Sequence, residues 1–282
     1  MKTGLVLEGG GLRGMFTAGM LDVWMEQGIT FDGVIGVSAG ATFGCNFVSR
    51  QVGRVIRYQL RYIRDNRDMS YHSLWRTGDL VGADFAYHYL PTHLDIFDFE
   101  TFRRNPTEFH LVCTDADRGV PVYRQIKDMD YEGLEWLRAS ASMPIVSRPV
   151  ELEGMRLLDG GITDSIPLRH FQEMGFQRNI VVLTQPKGFR KRKTALMPFF
   201  HLMMRQYPAV TKGMARRHLM YNEQLDYLAQ QEMLGNTLLI CPDTILPIGR
   251  TERNEQKIQH VYDMGRKAGE DTLTKVKEFL HP

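Results

Sequence analysis

Three glycine-rich corners hold the residues of this sequence best suited to chemistry. One, Gly36-Val37-Ser38-Ala39-Gly40, fits G-x-S-x-G. In that pattern a tight strand-to-helix turn holds the serine in a strained backbone conformation with its hydroxyl exposed. The flanking glycines remove side chains that would collide with the neighbouring strand and helix. Ser38 is therefore a candidate nucleophile, against the plainer reading of a small-residue turn with an incidental serine. A second corner, Gly9-Gly10-Gly11-Leu12-Arg13-Gly14, fits G-x-G-x-x-G at Gly9, Gly11 and Gly14. Glycines there let backbone N–H groups crowd toward one spot above a helix N-terminus, where anionic oxygen binds. The spot suits a dinucleotide pyrophosphate or the oxyanion of an acyl-transfer transition state. The third corner, Leu158-Asp159-Gly160-Gly161, sets an aspartate at a strand end before two glycines, and alone it reads as an ordinary turn.

The first two corners need strand–turn–helix units around them, and the apolar pattern supplies both. Residues 4–8 read as a short buried strand that stops at the glycines. From Leu12 the pattern turns helical, through Met15, Ala18, Met20, Leu21, Val23 and Trp24, and Gly28 closes it. Residues 33–37 form a second strand that runs through Ser38-Ala39-Gly40 into another helix. Two such units within about fifty residues indicate a parallel sheet with helices packed on it. Further strands are expected over 108–114, 120–125, 156–158, 179–184 and 237–241, and helices over 133–140, 194–234 and 251–280. The segment from about 65 to 105 carries Tyr71, His72, Trp75, Phe85, Tyr87, His88, Tyr89 and His93 and reads as loops and short helices. Its aromatic residues suit ordinary core, or the wall of an acyl pocket.

Two familiar site types fit poorly. Dinucleotide binding asks for an acid at the tip of the second strand, about twenty residues after the glycines. Here that strand ends Val37-Ser38, and Asp32 stands at its other end. A conventional triad asks for a histidine, in the chain order Ser, Asp, His for α/β-hydrolases. His170, His201, His218, His260 and His281 follow Asp159, but none has the turn chemistry of a strand end around it. Ser38 also follows only one strand–helix unit, whereas the α/β-hydrolase elbow normally follows several strands.

Together the three corners resemble the patatin-like phospholipase family. That family carries a G-G-G-x-R-G loop, an early G-x-S-x-G elbow and a downstream D-G-G or D-G-A motif, matched here at 9–14, 36–40 and 159–161. Ala139-Ser140-Ala141-Ser142-Met143-Pro144 also resembles the small-residue segment the family has before its aspartate. The resemblance covers about residues 4–169. It implies a three-layer α/β/α fold with a mainly parallel sheet and a helical C-terminal extension. It divides the chain into a catalytic region, 4–172, and a remainder, 173–282, of final core strands plus that extension. It also implies a Ser–Asp dyad, in which Ser38 attacks a lipid acyl ester and Asp159 takes the hydroxyl proton, with phospholipase A or lysophospholipase activity. The N–H groups around Gly10, Gly11 and Leu12, with Arg13 nearby, would hold the oxyanion. Gly36, Gly40, Gly160 and Gly161 would shape the two turns, and no metal or organic cofactor is required. A small-molecule carboxylesterase or thioesterase with the same dyad is the alternative, and a non-catalytic lipid-binding module is another.

The remaining features bound the partners. A net charge of +2 singles out none, and without a recognition motif nucleic acid is not expected. Cys45, Cys113 and Cys241 are odd in number and far apart, which suggests a reducing compartment and no disulfide framework. The opening apolar stretch is too short for a signal peptide, and no window approaches the roughly 18 apolar residues of a membrane span. A cytoplasmic protein is expected, with peripheral contact to an anionic membrane surface left open, as is its oligomeric state. Two stretches bear on that contact. Arg50, Arg54, Arg57, Arg61 and Arg64 fall within roughly an 80° arc of a helix, which suits a solvated polar face or, less plainly, anionic headgroups. The five basic residues within 187–193 precede a Phe/Met-rich run, which suits a solvated loop entering a buried helix, or an interfacial lid.

Overall fold

The computed structural model describes residues 1–65 and 82–280. Strand β1 (Thr3–Leu7) has Leu5, Val6 and Leu7 all fully buried. Side chains on both faces are covered, as expected inside a parallel sheet. It pairs in parallel with β2 (Gly33–Val37) on one side and β7 (Arg178–Val182) on the other. β3 (Glu108–Asp115) extends the parallel sheet beyond β2, and β8 (Thr237–Ile240) extends it beyond β7. Beyond this core, β4 (Pro121–Ile126) and β6 (Met155–Asp159) both pair antiparallel with β3, and β5 (Val150–Leu152) pairs antiparallel with β6. The strand order is β5-β6-β3-β2-β1-β7-β8, with β4 off that path on β3.

Alternation along the strands divides the interior into two layers. Leu5, Leu7, Val34, Phe109, Leu111, Ile180 and Val182 pack on one face. They meet α1 (Met15–Glu26), α2 (Ala39–Val48), α3 (Arg54–Tyr62), α5 (Phe99–Arg104), α6 (Tyr131–Ala141) and α10 (Glu255–Leu280). Val6, Ile35, Val37, Val112 and Val181 pack on the other, against α7 (Leu168–Glu173) and α9 (Pro208–Met233). The fold is thus the expected three-layer α/β/α arrangement, with a helical C-terminal region and a sheet that is parallel at its centre and mixed at one side.

Several elements differ from expectation. The helix expected over 194–234 is two, α8 (Met197–Met203) and α9, and the break falls just before Pro208 at the first turn of α9. Proline disfavours helical backbone in the residue before it, which accounts for the interruption. In the 65–105 segment, a π-helical stretch α4 (Asp84–Leu94) precedes α5, while Tyr71, His72 and Trp75 lie outside the described residues. The arginine stripe is in large part the solvated face expected, with Arg57, Arg61 and Arg64 exposed, but several of its members are engaged by polar partners. Arg54 is buried, with its guanidinium on the Asp95 carbonyl and on Asn46 Oδ1 at 2.8 Å. Arg57 pairs with Asp95 at 2.7 Å and Arg64 with Glu255 at 2.8 Å, while Arg50 donates to the Ile29 carbonyl at 3.0 Å. The stripe ties α3 to the segment before α5 and to α10.

Candidate active site

The sheet register brings Ser38 and Asp159 together. Val37, the last residue of β2, lies opposite Val112 of β3, and Asp159, the last residue of β6, lies opposite Cys113. Two segments far apart in sequence therefore leave the sheet at consecutive positions of one strand. Ser38 adopts φ 54° and ψ −123°, a conformation side-chain-bearing residues rarely take. Holding it costs about 1–3 kcal/mol, which surrounding contacts must offset. Its N–H donates to Ser140 Oγ at 3.0 Å, and that hydroxyl donates onward to the Val112 carbonyl at 2.7 Å. The Ser38 carbonyl accepts from the N–H groups of Ala41 and Thr42 at 2.9 and 3.0 Å. Close approach accounts for the elbow's glycines: a Cβ on Gly40 would lie 2.3 Å from the Leu7 carbonyl oxygen, and one on Gly36 2.5 Å from the Ala41 nitrogen.

Asp159 is buried and lines a cavity that Ser38 also borders. Its N–H donates to the Ser142 carbonyl at 2.8 Å, and its Oδ1 accepts from the Gly161 N–H at 2.7 Å. Gly160 passes so close to β3 that a Cβ there would sit 2.2 Å from the Val112 oxygen. Burial raises the Asp159 pKa above the usual carboxylate value; the Ser38 hydroxyl, Arg217, the Gly161 N–H and Arg250 pull it back down. The carboxyl is thereby a stronger base than an exposed aspartate, beside a serine whose backbone is tied down.

The Gly-rich loop runs over this pair. A Cβ on Gly9 would fall 2.9 Å from Ser38 Cβ. Gly11, at φ 58°, turns the chain into a short 3-10 stretch, and Gly14 packs on Phe43. Of the three amides expected to face an oxyanion, Leu12 is a correction. Its N–H donates to the Arg250 carbonyl at 3.1 Å, because the turn at Gly11 directs it to the segment before α10. Among the described residues no acceptor pairs with the N–H groups of Gly10 or Gly11. The Arg13 guanidinium turns into the cavity, where its Nε is buried without a partner.

Two cavities meet at Ser38. One, of about 190 Å³, is mainly apolar and is walled by Phe43, Tyr87, Leu90, Phe97, Leu134 and Leu137. The other, of about 320 Å³, holds Asp159 and is ringed by Arg13, Lys191, Arg217 and Arg250. Gly11, Ser38, Met143, Val146, Arg250 and Thr251 border both. The three cations other than Arg13 escaped sequence reasoning as site residues. Arg217 sits within the polar run Arg216-Arg217-His218 of α9, and Arg250 in an unpatterned loop; no local spacing marks either. Among the described residues no histidine lines these cavities, and His170 stacks on Tyr123 with ring centres 3.4 Å apart. His281 lies outside the described residues. Cys45 borders the apolar cavity, but burial pushes its thiol up to about 12, which leaves it protonated and a poor nucleophile.

Fold and motifs converge on one family: the chain belongs to the patatin-like phospholipases, whose model matches residues 5–171. A domain of unknown function, DUF6363, matches residues 207–281. Among individual relatives, the uncharacterized protein YjjU of Escherichia coli is 32% identical over 190 residues, covering 66% of this chain and 52% of that protein. Lysophospholipase NTE1 of Cryptococcus neoformans is 25% identical over 299 residues, covering 98% of this chain but 17% of that protein. The chain thus spans about half or less of the length of these curated relatives. The crystal structure of VipD from Legionella pneumophila aligns at 16% identity and a TM-score of 0.41, over 96% of this chain and 67% of that one. No likeness of function follows at that distance.

Proposed function

We propose that this chain is a serine acyl-ester hydrolase acting on lipid acyl esters, of phospholipase A or lysophospholipase type, through a dyad of Ser38 and Asp159. The observation that carries the reading is that a strained, tethered serine and a buried carboxylate share one cavity, with an apolar cavity opening from the same serine. Asp159 accepts the Ser38 proton as Oγ bonds to the ester carbonyl carbon. The carbonyl becomes an oxyanion held by the amides of Gly10 and Gly11. Collapse breaks the bond to the leaving alkoxide, and Asp159 returns the proton to it. Water then adds to the acyl-Ser38, gives its proton to Asp159, and frees the fatty acid as the proton returns to Ser38 Oγ. The name lysophospholipase borne by several fungal relatives agrees with this chemistry.

The apolar cavity favours a lipid acyl chain over a small carboxylic ester. Contact with an anionic membrane surface is part of the reading, but through α8 and not the arginine stripe. Leu196, Phe199, Leu202 and Met203 are about half or more exposed there, Phe200 reaches the site cavity, and Arg192 and Lys193 precede them in the chain. Such a ridge suits insertion among headgroups. Among the described residues no helix is long and apolar enough to cross a membrane. The test is hydrolysis of p-nitrophenyl acyl esters of increasing chain length, with fluorophosphonate labelling of the protein. Rates rising with chain length and label on Ser38 are expected, both abolished by Ser38→Ala. Full activity in Ser38→Ala or Asp159→Asn would end the proposal.

A further inference from the structure

Among the described residues the cations beside Asp159 outnumber the acids. Arg13, Lys191, Arg217 and Arg250 line one cavity, and among the described residues none forms an ion pair. Elsewhere several arginines are matched with acids, as in Arg57–Asp95 and Arg266–Glu26. Among the described residues two carboxylates border this cavity, Glu8 and Asp159. Glu8 is saturated: Oε2 accepts from the N–H of Thr184 at 2.7 Å and its hydroxyl at 3.1 Å, and Oε1 from the Tyr221 hydroxyl at 2.7 Å. Asp159 is engaged by Gly161 and Ser38.

Lys191 and Arg217 are also held in place. Lys191 is pinned to α9 by a reciprocal pair, its N–H to Asn222 Oδ1 at 2.9 Å and Asn222 Nδ2 to its carbonyl at 3.0 Å, and its ammonium lies 4.1 Å over the Tyr221 ring. Arg217 donates from Nε to the Gly161 carbonyl, which leaves the rest of its guanidinium free toward the cavity. The Arg250 carbonyl holds Leu12. Each pushes on the others: burial foremost, then Arg217, Arg250 and Arg13, with Glu8 opposing, brings the Lys191 pKa down to about 7. Burial and Arg250 likewise lower that of Arg13. Neighbouring cations that repel one another, three of them partly desolvated, form a site that an anion would relieve.

We propose that this cluster binds the phosphate of the substrate's headgroup and selects glycerophosphate lipids whose headgroup carries no cation, such as monoacylglycerol 3-phosphate. The inference rests on the hydrolase reading and specifies its substrate. With the ester carbonyl at Ser38, the acyl chain enters the apolar cavity and the glycerol phosphate falls among Arg13, Lys191 and Arg217, with Arg250 at the border of the two cavities. Planar guanidinium forks match phosphate oxygens in pairs, and three of the four are arginines. A choline or ethanolamine ammonium would meet like charge there and find no unengaged carboxylate, which disfavours zwitterionic lipids by repulsion.

Binding tests this independently of turnover. The Ser38→Ala chain is titrated calorimetrically with monoacylglycerol 3-phosphate, with the phosphocholine lipid of the same acyl chain, and with inorganic phosphate. We expect the first to bind at least tenfold tighter than either of the others. Equal or tighter binding of the choline lipid overturns the headgroup selection. Inorganic phosphate binding as tightly as the lipid assigns the cluster to free phosphate and overturns the lipid part. Arg250→Gln, at an exposed position where misfolding is not at issue, is expected to narrow the gap between the two lipids at least fivefold; a gap left intact removes Arg250 from the cluster's work. Wild-type hydrolysis of a p-nitrophenyl ester, which has no headgroup, reports separately on the hydrolase reading.

Discussion

Replacing Ser140 with alanine probes how the nucleophile is held. Ser140 Oγ is fully buried and serves two backbone groups at once, accepting from the Ser38 N–H at 3.0 Å and donating to the Val112 carbonyl at 2.7 Å. Alanine strands both. A buried unsatisfied group costs about 1–3 kcal/mol, with a lone N–H toward the upper part of that range and a carbonyl less demanding. The sum is about 2–4 kcal/mol, removed from the tether that holds Ser38 at its strained φ of 54°. Relaxation of that angle swings Oγ away from Asp159, so chemistry suffers more than binding. Urea denaturation is expected to register that loss of stability. Hydrolysis of a p-nitrophenyl ester is expected to lose at least tenfold in kcat with KM within about threefold, since the acyl cavity is untouched. Ser140→Cys, which retains a weak donor and acceptor, is expected to recover part of kcat. If Ser140→Ala kept kcat, or raised KM instead, Ser140 would have no part in positioning the nucleophile.

Further predictions concern the base and the membrane. Because burial raises the Asp159 pKa, the folded protein favours its protonated form, so ionisation costs stability once pH rises through the folded value. Asp159→Asn should therefore be more stable than wild type at pH 7 while inactive, and urea midpoints at pH 7 and near pH 3 should show the gain shrinking toward zero at the lower pH. Wild-type kcat/KM should fall as pH drops through a pKa above 3.8, the unperturbed value. Leu202, 67% exposed on α8, offers part of the 1.5–3 kcal/mol of a buried leucine, about 1–2 kcal/mol. Leu202→Asp should weaken sedimentation with anionic vesicles about fivefold or more; equal sedimentation would remove α8 from the membrane contact.

Much of the site's framework was legible because its constraints are local. Gly36 and Gly40 stand where any side chain would strike backbone, so steric necessity writes the elbow into the letters, and the same holds for Gly160 against β3. Parallel strands buried on both faces read as short apolar runs, as with Ile180, Val181 and Val182, whereas three-residue β5 is too brief to leave a pattern. Spacing on α3 placed its arginines on one arc but carried no information on what that arc faces. Asp95 and Glu255, which answer it, lie 41 and 191 positions from Arg54 and Arg64 respectively. The cationic ring was invisible for the same reason. Its members sit on four unrelated segments, and only folding makes them neighbours. The occupied Leu12 amide likewise depends on a carbonyl 238 residues further along the chain.

Ser38 and Asp159 both fall within the stretch matched by the family model, whereas Lys191, Arg217 and Arg250 all come after it. Three of the four charge-bearing groups thus follow the stretch that carries the bond-breaking pair, with Arg13 alone inside it. If the headgroup reading holds, substitutions at Lys191, Arg217 and Arg250 would change which lipids are accepted while leaving the Ser140 tether of Ser38 in place. Relatives that keep the three glycine corners yet differ after residue 171 would then share a reaction and part ways over diet.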